Sequence, residues 1–134
     1  MQTSKPKLLV GLMAVALAAC ATSGARRATA PEMDYSAYAG PEQADLFYFR
    51  LDSWEVVGRD QLILWTGMRE AYLLKVWEPC SELQYAQAIA FTSQLNRLSR
   101  FDKVLAGRDS CPIASIRKLD AVRLKADRLK ARRP

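Results

Sequence analysis

The sequence predicts an α+β fold that is mainly β: a small antiparallel meander or half-open barrel with one short helix and a basic helix at its carboxyl end. Three observations indicate this fold class. Short runs of β-branched and aromatic residues alternate with turn residues, as in antiparallel strands. Pro79, Cys80 and Ser81 interrupt these runs and favour one short helix. The stretch 116–129 repeats its apolar residues with a helical period and is strongly basic.

The strands of the first half follow from apolar runs bounded by glycine. Residues 62–65 are apolar on both faces, which predicts a central strand. After Gly67, Tyr72, Leu74 and Val76 fall on one face, because successive side chains of a strand alternate. The run at residues 46–49 is either a strand or the last stretch of chain before the fold. In chain order these predicted strands are residues 46–49, 54–57, 62–66 and 71–77.

The second half predicts one helix and two or three further strands. Ser81 is a candidate cap for a short helix over residues 82–88, with Leu83 and Ala86 facing inward. Residues 89–93 fit either a strand or a continuation of that helix, and both alternatives stay open. The last two predicted strands are residues 101–105 and 111–116.

The amino-terminal residues are typical of an export signal. Lys5 and Lys7 precede an apolar run at residues 8–17, and small residues lead from it to Cys20. A basic start, a short apolar run and small residues at the cleavage point define a secretory signal. The run is shorter than the roughly 20 residues that a transmembrane helix needs. We therefore expect export without a membrane-spanning segment.

The string Leu17-Ala18-Ala19-Cys20 resembles the lipobox of bacterial lipoproteins. The resemblance implies cleavage before Cys20 and acyl chains, such as palmitate, on that residue, which together anchor it stably. Ala21 follows in place of aspartate, which implies sorting to the periplasmic face of the outer membrane. The alternative is an ordinary signal peptide, cut nearby, that releases a soluble periplasmic protein.

Four segments are expected along the chain. Between the signal and the domain, a stretch rich in small residues and proline predicts a flexible tether. Tyr35 and Tyr38 interrupt this tether and either dock on the domain or lie in solvent, the solvated form being the expectation. The segments are the signal peptide 1–19, the lipidated cysteine and tether 20–44, the β-rich domain 45–120 and the basic amphipathic tail 121–134.

Two cysteines remain once Cys20 carries lipid. In an exported protein Cys80 and Cys111 predict a disulfide, whereas in the cytosol the same pair would stay reduced. A small domain buries a modest share of its surface and gains from a crosslink. We therefore expect a Cys80–Cys111 bond.

The positive charge is concentrated near the carboxyl end. The net charge is −4 over residues 28–116 and +6 over residues 117–134. A helix there either binds an anionic surface or an envelope protein, or is a solvated tail. Its expected apolar stripe is Ile116, Leu119, Val122, Ala126 and Leu129, and the candidate contact residues for an anionic surface are Arg123, Lys125, Arg128, Lys130, Arg132 and Arg133.

The composition argues against most catalytic and cofactor chemistry. The chain contains no histidine, the commonest general base and metal ligand. It has no phosphate-binding glycine loop, nucleophile motif or zinc spacing. We therefore expect no catalytic residue, no metal and no cofactor, but a non-enzymatic structural or interaction protein held on a membrane. Nucleic acid is not an expected partner, because an exported chain would not meet it.

A second function remains open, namely a periplasmic ligand-binding module or hydrolase inhibitor with an aromatic groove. Aromatic residues of small β domains usually form the core, so the groove is the less favoured interpretation. Burial of all three tryptophans would exclude it. The candidate groove residues are Trp54, Trp65, Trp77, Tyr48, Tyr72 and Phe91, and the carboxylates weighed for metal or acid–base chemistry are Asp52, Glu55, Asp60, Glu70, Glu78 and Glu82.

Residues 47–119 resemble a family of proteobacterial envelope proteins of unknown function, many of them predicted lipoproteins. The most specific element is the two-cysteine frame with its flanking apolar residues. The resemblance implies an envelope location and this fold, and no activity. It rests on Ser53-Trp54, Tyr72-Leu73-Leu74, Cys80-x-x-Leu83, Phe91-Thr92-Ser93, Phe101-Asp102-x-Val104 and Cys111-x-Ile113-x-x-Ile116.

Overall fold

A curled antiparallel sheet closed by one carboxyl-terminal helix forms the folded unit, which begins at Met33. The structure, a computed structural model, describes residues 33–48 and 50–133. The predicted signal peptide, Cys20 and the tether up to residue 32 lie outside these residues. The described elements are β1 (Ala39–Gln43), β2 (Asp45–Phe47), β3 (Ser53–Val56), β4 (Gln61–Gly67), β5 (Glu70–Val76), β6 (Ile89–Phe91), β7 (Arg97–Ser99), β8 (Lys103–Ala106), β9 (Asp109–Leu119) and α1 (Ala121–Arg132), with 3₁₀ turns at Tyr35–Tyr38 and Leu83–Tyr85.

The main sheet has the order β3-β4-β5-β9-β8-β6, and every pairing is antiparallel. It curls into a half-barrel, so the predicted fold class is confirmed. β9 is the strand that joins its parts. One edge of β9 pairs with β5, while the other pairs first with β8 and then, beyond Ile116, with β1. A separate ribbon of β2 and β7 packs Leu46 and Leu98 against the sheet.

Apolar side chains lie on both faces of this sheet. Leu62 and Leu64 of β4 face one core, and Ile63 and Trp65 face the other, because strand side chains alternate. The prediction that 62–65 is a central strand is therefore confirmed. The first core also contains Tyr72, Leu74, Val76, Leu83, Val104, Ile113 and Ile116, and the second contains Ala71, Leu73, Leu119, Ala121 and Leu124.

The predicted disulfide joins Cys80 to Cys111, with Cα atoms 5.8 Å apart. Cys80 follows the exit of β5, and Cys111 lies in the part of β9 that pairs with β8. Both cysteines are buried in the first core. The bond therefore ties the segment after β5 to the central strand.

Several local predictions are wrong. Residues 39–43 of the expected tether form β1, because their backbone pairs with the free edge of β9. The helix expected at 82–88 is only the turn Leu83–Tyr85, and Ser81 does not cap it. Of the two alternatives for 89–93, the strand is correct over Ile89–Phe91.

Candidate interaction surfaces

Helix α1 is docked on the second core and does not project as a tail. Asp120 begins it, since the Asp120 Oδ1 atom accepts a hydrogen bond of 3.0 Å from the Arg123 amide. Ala121 and Leu124 are buried against the sheet. The predicted stripe is wrong as a single helical face: Ile116 and Leu119 belong to β9 and face opposite cores, while Val122 and Leu129 of α1 are exposed.

Arg128 is used inside the fold. Its guanidinium forms an ion pair with Glu55, one hydrogen bond of which spans 3.3 Å from Nη1 to Oε2. It also donates to the Tyr35 hydroxyl at 3.2 Å. Glu55 accepts from the indole of Trp65 as well. The hydrogen bond to Glu55 is the main reason that the pKa of Arg128 is raised, so this cation stays charged while it fastens α1 to β3.

Two further basic residues of α1 lie over aromatic rings. The Arg123 guanidinium is 4.9 Å from the ring centre of Tyr38, and the Lys125 ammonium is 4.9 Å from that of Trp65. The Tyr38 hydroxyl donates to Asp127 at 2.8 Å, and this bond raises the pKa of Tyr38. Tyr38 therefore docks on the domain, contrary to the expected solvated tether.

The rest of the helix forms an outer surface that the sheet does not cover. We call Val122, Ala126, Leu129, Lys130 and Arg132 the outer α1 surface. All five are exposed, and the spacing of the first four puts them on the side opposite Leu124. Val122 and Leu129 are 58% and 59% exposed. Lys130 forms a 3.6 Å ion pair with Asp127, and Arg133 follows the helix as its exposed cap residue. Three of the six predicted contact residues therefore dock α1, and the other three, Lys130, Arg132 and Arg133, lie exposed at its carboxyl end.

The six aromatic residues weighed for a groove do not line one site. Trp65 and Tyr72 are buried in opposite cores. The rings of Tyr48, Trp54 and Phe91 are partly buried against the first core. The sixth, Trp77, is 64% exposed, so the condition that would exclude an aromatic site is not met.

Two open hollows share Glu78 as a lining residue, and Trp77 lines the larger of them. The larger, of about 430 Å³, is lined by Lys75, Trp77 and Ser115 among others. The smaller, of about 300 Å³, is lined by Arg59 and by Tyr85, whose side chain is 81% exposed. Sequence reasoning missed Tyr85, because it was assigned to a helix with only its apolar neighbours considered.

Five of the six acidic residues weighed from the sequence form separate contacts, and the sixth, Glu78, lines the two hollows. Asp60 pairs with Lys75 at 3.7 Å, and Asp52 pairs with Arg50 at 3.2 Å. Glu82 pairs with Arg108. Within the described residues, Cys80, Asp109 and Cys111 bring possible metal-ligating atoms within 4.8 Å of one another. Both sulfurs of that group are in the disulfide and offer no thiolate.

None of the helices that the structure describes is long and apolar enough to cross a membrane. Searches among curated proteins and among solved structures found no match to this chain. A family of unknown function, DUF6491, matches residues 3–134. The chain therefore belongs to the DUF6491 family.

Proposed function

We propose that this protein is a non-enzymatic envelope lipoprotein, anchored through Cys20, whose outer α1 surface rests on an anionic membrane surface. The observation that carries the proposal is the shared position of the chain entry and the basic helix. Met33 and Tyr35 pack in the second core, the same core that α1 covers. The chain from the proposed anchor therefore enters the domain on the α1 side of the sheet.

The length of the connecting chain favours contact between that side and the membrane. Thirteen peptide steps separate Cys20 from Met33, and fully extended they reach about 45 Å. Acyl chains on Cys20 would hold the domain within this distance of the lipid. Exposed Val122 and Leu129, with lysine and arginine beside them, offer apolar and cationic contacts to anionic headgroups. The outer membrane is the proposed location.

The disulfide supports export, because such bonds persist in oxidising compartments. The disulfide supports a periplasmic location, but it does so equally for a lipidated protein and for one released without lipid. The anchor itself is tested by the intact mass of the protein extracted from membranes. A chain that starts at Cys20 and carries added acyl mass is the expected result, and an unlipidated mass would contradict it.

The contact of α1 is tested with the anchored protein in vesicles. Brief trypsin digestion followed by mass spectrometry reports cleavage after Lys130 and Arg132, because trypsin does not cut the bond between Arg133 and Pro134. We expect these sites to be protected in vesicles containing phosphatidylglycerol and cleaved in pure phosphatidylcholine, because anionic headgroups attract the basic surface. High salt should remove the protection. Equal cleavage in both vesicles would disprove the contact while leaving the anchor intact.

A matched pair of variants separates this surface from general charge. Neutralising Lys130, Arg132 and Arg133 to glutamine removes the tryptic sites themselves, so this pair of variants is compared by chymotryptic cleavage after Leu129, and the substitution should abolish the protection of that bond by anionic vesicles. Neutralising three exposed basic residues outside α1, namely Arg50, Arg100 and Lys103, removes the same charge and should preserve it. Deleting the whole helix is not a suitable test, because it would uncover the second core.

A further inference from the structure

We propose that the two hollows on either side of Glu78 form a binding site for a neutral oligosaccharide, with Trp77 and Tyr85 as stacking platforms. This proposal is independent of the lipid anchor and of the α1 contact. It would give the protein a ligand-binding activity that neither the family nor the fold assigns.

The exposed aromatic rings are the first observation. Trp77 directly follows β5, and its amide donates a 2.9 Å hydrogen bond to the Pro112 carbonyl of β9. The backbone of Trp77 is thus held at the end of the sheet, while 64% of the residue's surface lies in solvent. Tyr85 lines the adjoining hollow and is more exposed still. An aromatic ring has a negative face, which attracts the weakly positive C–H bonds on the flat side of a sugar ring.

The charge of the lining is the second observation. Asp60 and Lys75 form an ion pair in the larger hollow, so their charges offset each other. In the smaller hollow Arg59 lines the wall together with Glu78. An anionic ligand would be repelled by the carboxylates of Asp60 and Glu78. A cationic ligand would be repelled by the basic groups of Arg59 and Lys75. A neutral ligand with many hydroxyls avoids either repulsion and offers partners to all of them.

The shape and the support of the site are the third observation. Volumes of about 430 Å³ and 300 Å³ lie at the low end of small-molecule sites. Both hollows are open, so they suit consecutive units of a chain that remains partly hydrated. The segment that carries Glu78 and Pro79 leads directly into Cys80, which is bonded to Cys111 in β9. Trp77 and Tyr85 therefore flank, in sequence, a segment that the disulfide fixes to the sheet.

Tryptophan fluorescence tests the site. Trp65 is buried and Trp54 is partly buried, so Trp77 supplies the most solvent-exposed emission. The full chain is titrated in a detergent without a sugar headgroup, with cellotetraose, maltotetraose and tetra-N-acetylchitotetraose as probes. We expect a saturable blue shift and protection from iodide quenching with at least one of them, because stacking removes water from the indole.

Variants assign the signal to the site. Tyr85→Ala should weaken binding about tenfold, in line with the loss of one stacking contact. Trp77→Ala should abolish the shift. Phe101→Ala, which removes a ring that is 82% exposed outside the hollows, should bind like the natural chain. Glu78→Gln tests the shared wall with both rings in place and should also weaken binding, so the assignment survives even if Trp77→Ala fails to fold.

Three outcomes would overturn the proposal. The first is the absence of a saturable change with all three neutral tetramers. The second is a shift that Tyr85→Ala and Glu78→Gln leave unaltered, which would place the ligand elsewhere. The third is equal or tighter binding of tetragalacturonate or of unacetylated tetraglucosamine, which would contradict the preference for a neutral ligand.

Discussion

Tyr72 illustrates how a single residue places a polar atom at the edge of the core. Its ring belongs to the first core and is only 6% exposed. Its hydroxyl donates a 2.6 Å hydrogen bond to Glu70. Burial, followed by this bond, raises the pKa of Tyr72 to about 12 from the ordinary 10.0, because both disfavour a buried phenolate beside a carboxylate.

This shift predicts a loss of stability at alkaline pH. Between pH 10 and 12 the unfolded chain has released the Tyr72 proton while the folded chain retains it, so the free energy of unfolding falls as the pH rises. The fall attributable to Tyr72 is on the order of 2 kcal/mol. Chemical denaturation of the natural chain and of Tyr72→Phe should show a steeper decline for the natural chain. Parallel declines would contradict the pKa assignment.

At the scale of the element, α1 shows that one helix serves two surfaces. Leu124 fills the second core, whereas Leu129 lies on the outer α1 surface. Arg128 forms hydrogen bonds with Glu55 and Tyr35. These bonds fix the rotation of the helix about its axis, and so determine which side chains face the core and which face solvent. The basic residues of a helix can thus be structural as well as available for contact.

Two alanine substitutions separate these surfaces. Leu124→Ala should lower the free energy of unfolding by about 2–5 kcal/mol, because it leaves a cavity under the helix. Leu129→Ala should change it by less than about 0.5 kcal/mol, since that side chain is mostly in solvent. Urea denaturation monitored by circular dichroism measures both. Equal effects would mean that α1 is not docked as described.

At the scale of the whole molecule, β9 and the disulfide connect the two halves of the chain. β9 pairs with its sequence neighbour β8 and also with β5 and β1, which are distant from it in sequence. The Cys80–Cys111 bond closes a sequence separation of 31 residues. In the chain-entropy description, a loop of this size stabilises the fold by about 3–4 kcal/mol.

Reduction should therefore weaken the fold substantially. The free energy of unfolding should fall by about 3–4 kcal/mol in a thiol reductant, a large part of what a small domain possesses. The variant Cys80→Ala with Cys111→Ala should be comparably weak and insensitive to the reductant, which provides the control. No change on reduction of the natural chain would show that the crosslink contributes little.

The sequence by itself determined the elements whose signals are local. The alternation of apolar residues in 71–77 predicts β5, and the run 62–65, which is apolar on both faces, predicts β4. Both signals are local, because the periodicity of a strand depends on neighbouring residues. The cysteine pair predicted the crosslink, because the expectation that Cys20 carries lipid left an even number of cysteines, and this count needs no knowledge of distances. The basic character of α1 was equally visible in its composition.

Only the tertiary structure decided the rest. β1 and β7 carry little apolar periodicity and exist because β9 and β2 offer them backbone partners. The helical spacing from Ile116 to Leu129 does not reveal that Asp120 ends one element and begins another. The tertiary structure likewise decided that Trp77 and Tyr85 line two hollows that share Glu78. Sequence patterns indicate the secondary structure that each residue favours. Which strands pair, and which surfaces other elements cover, depends on residues far away in the chain.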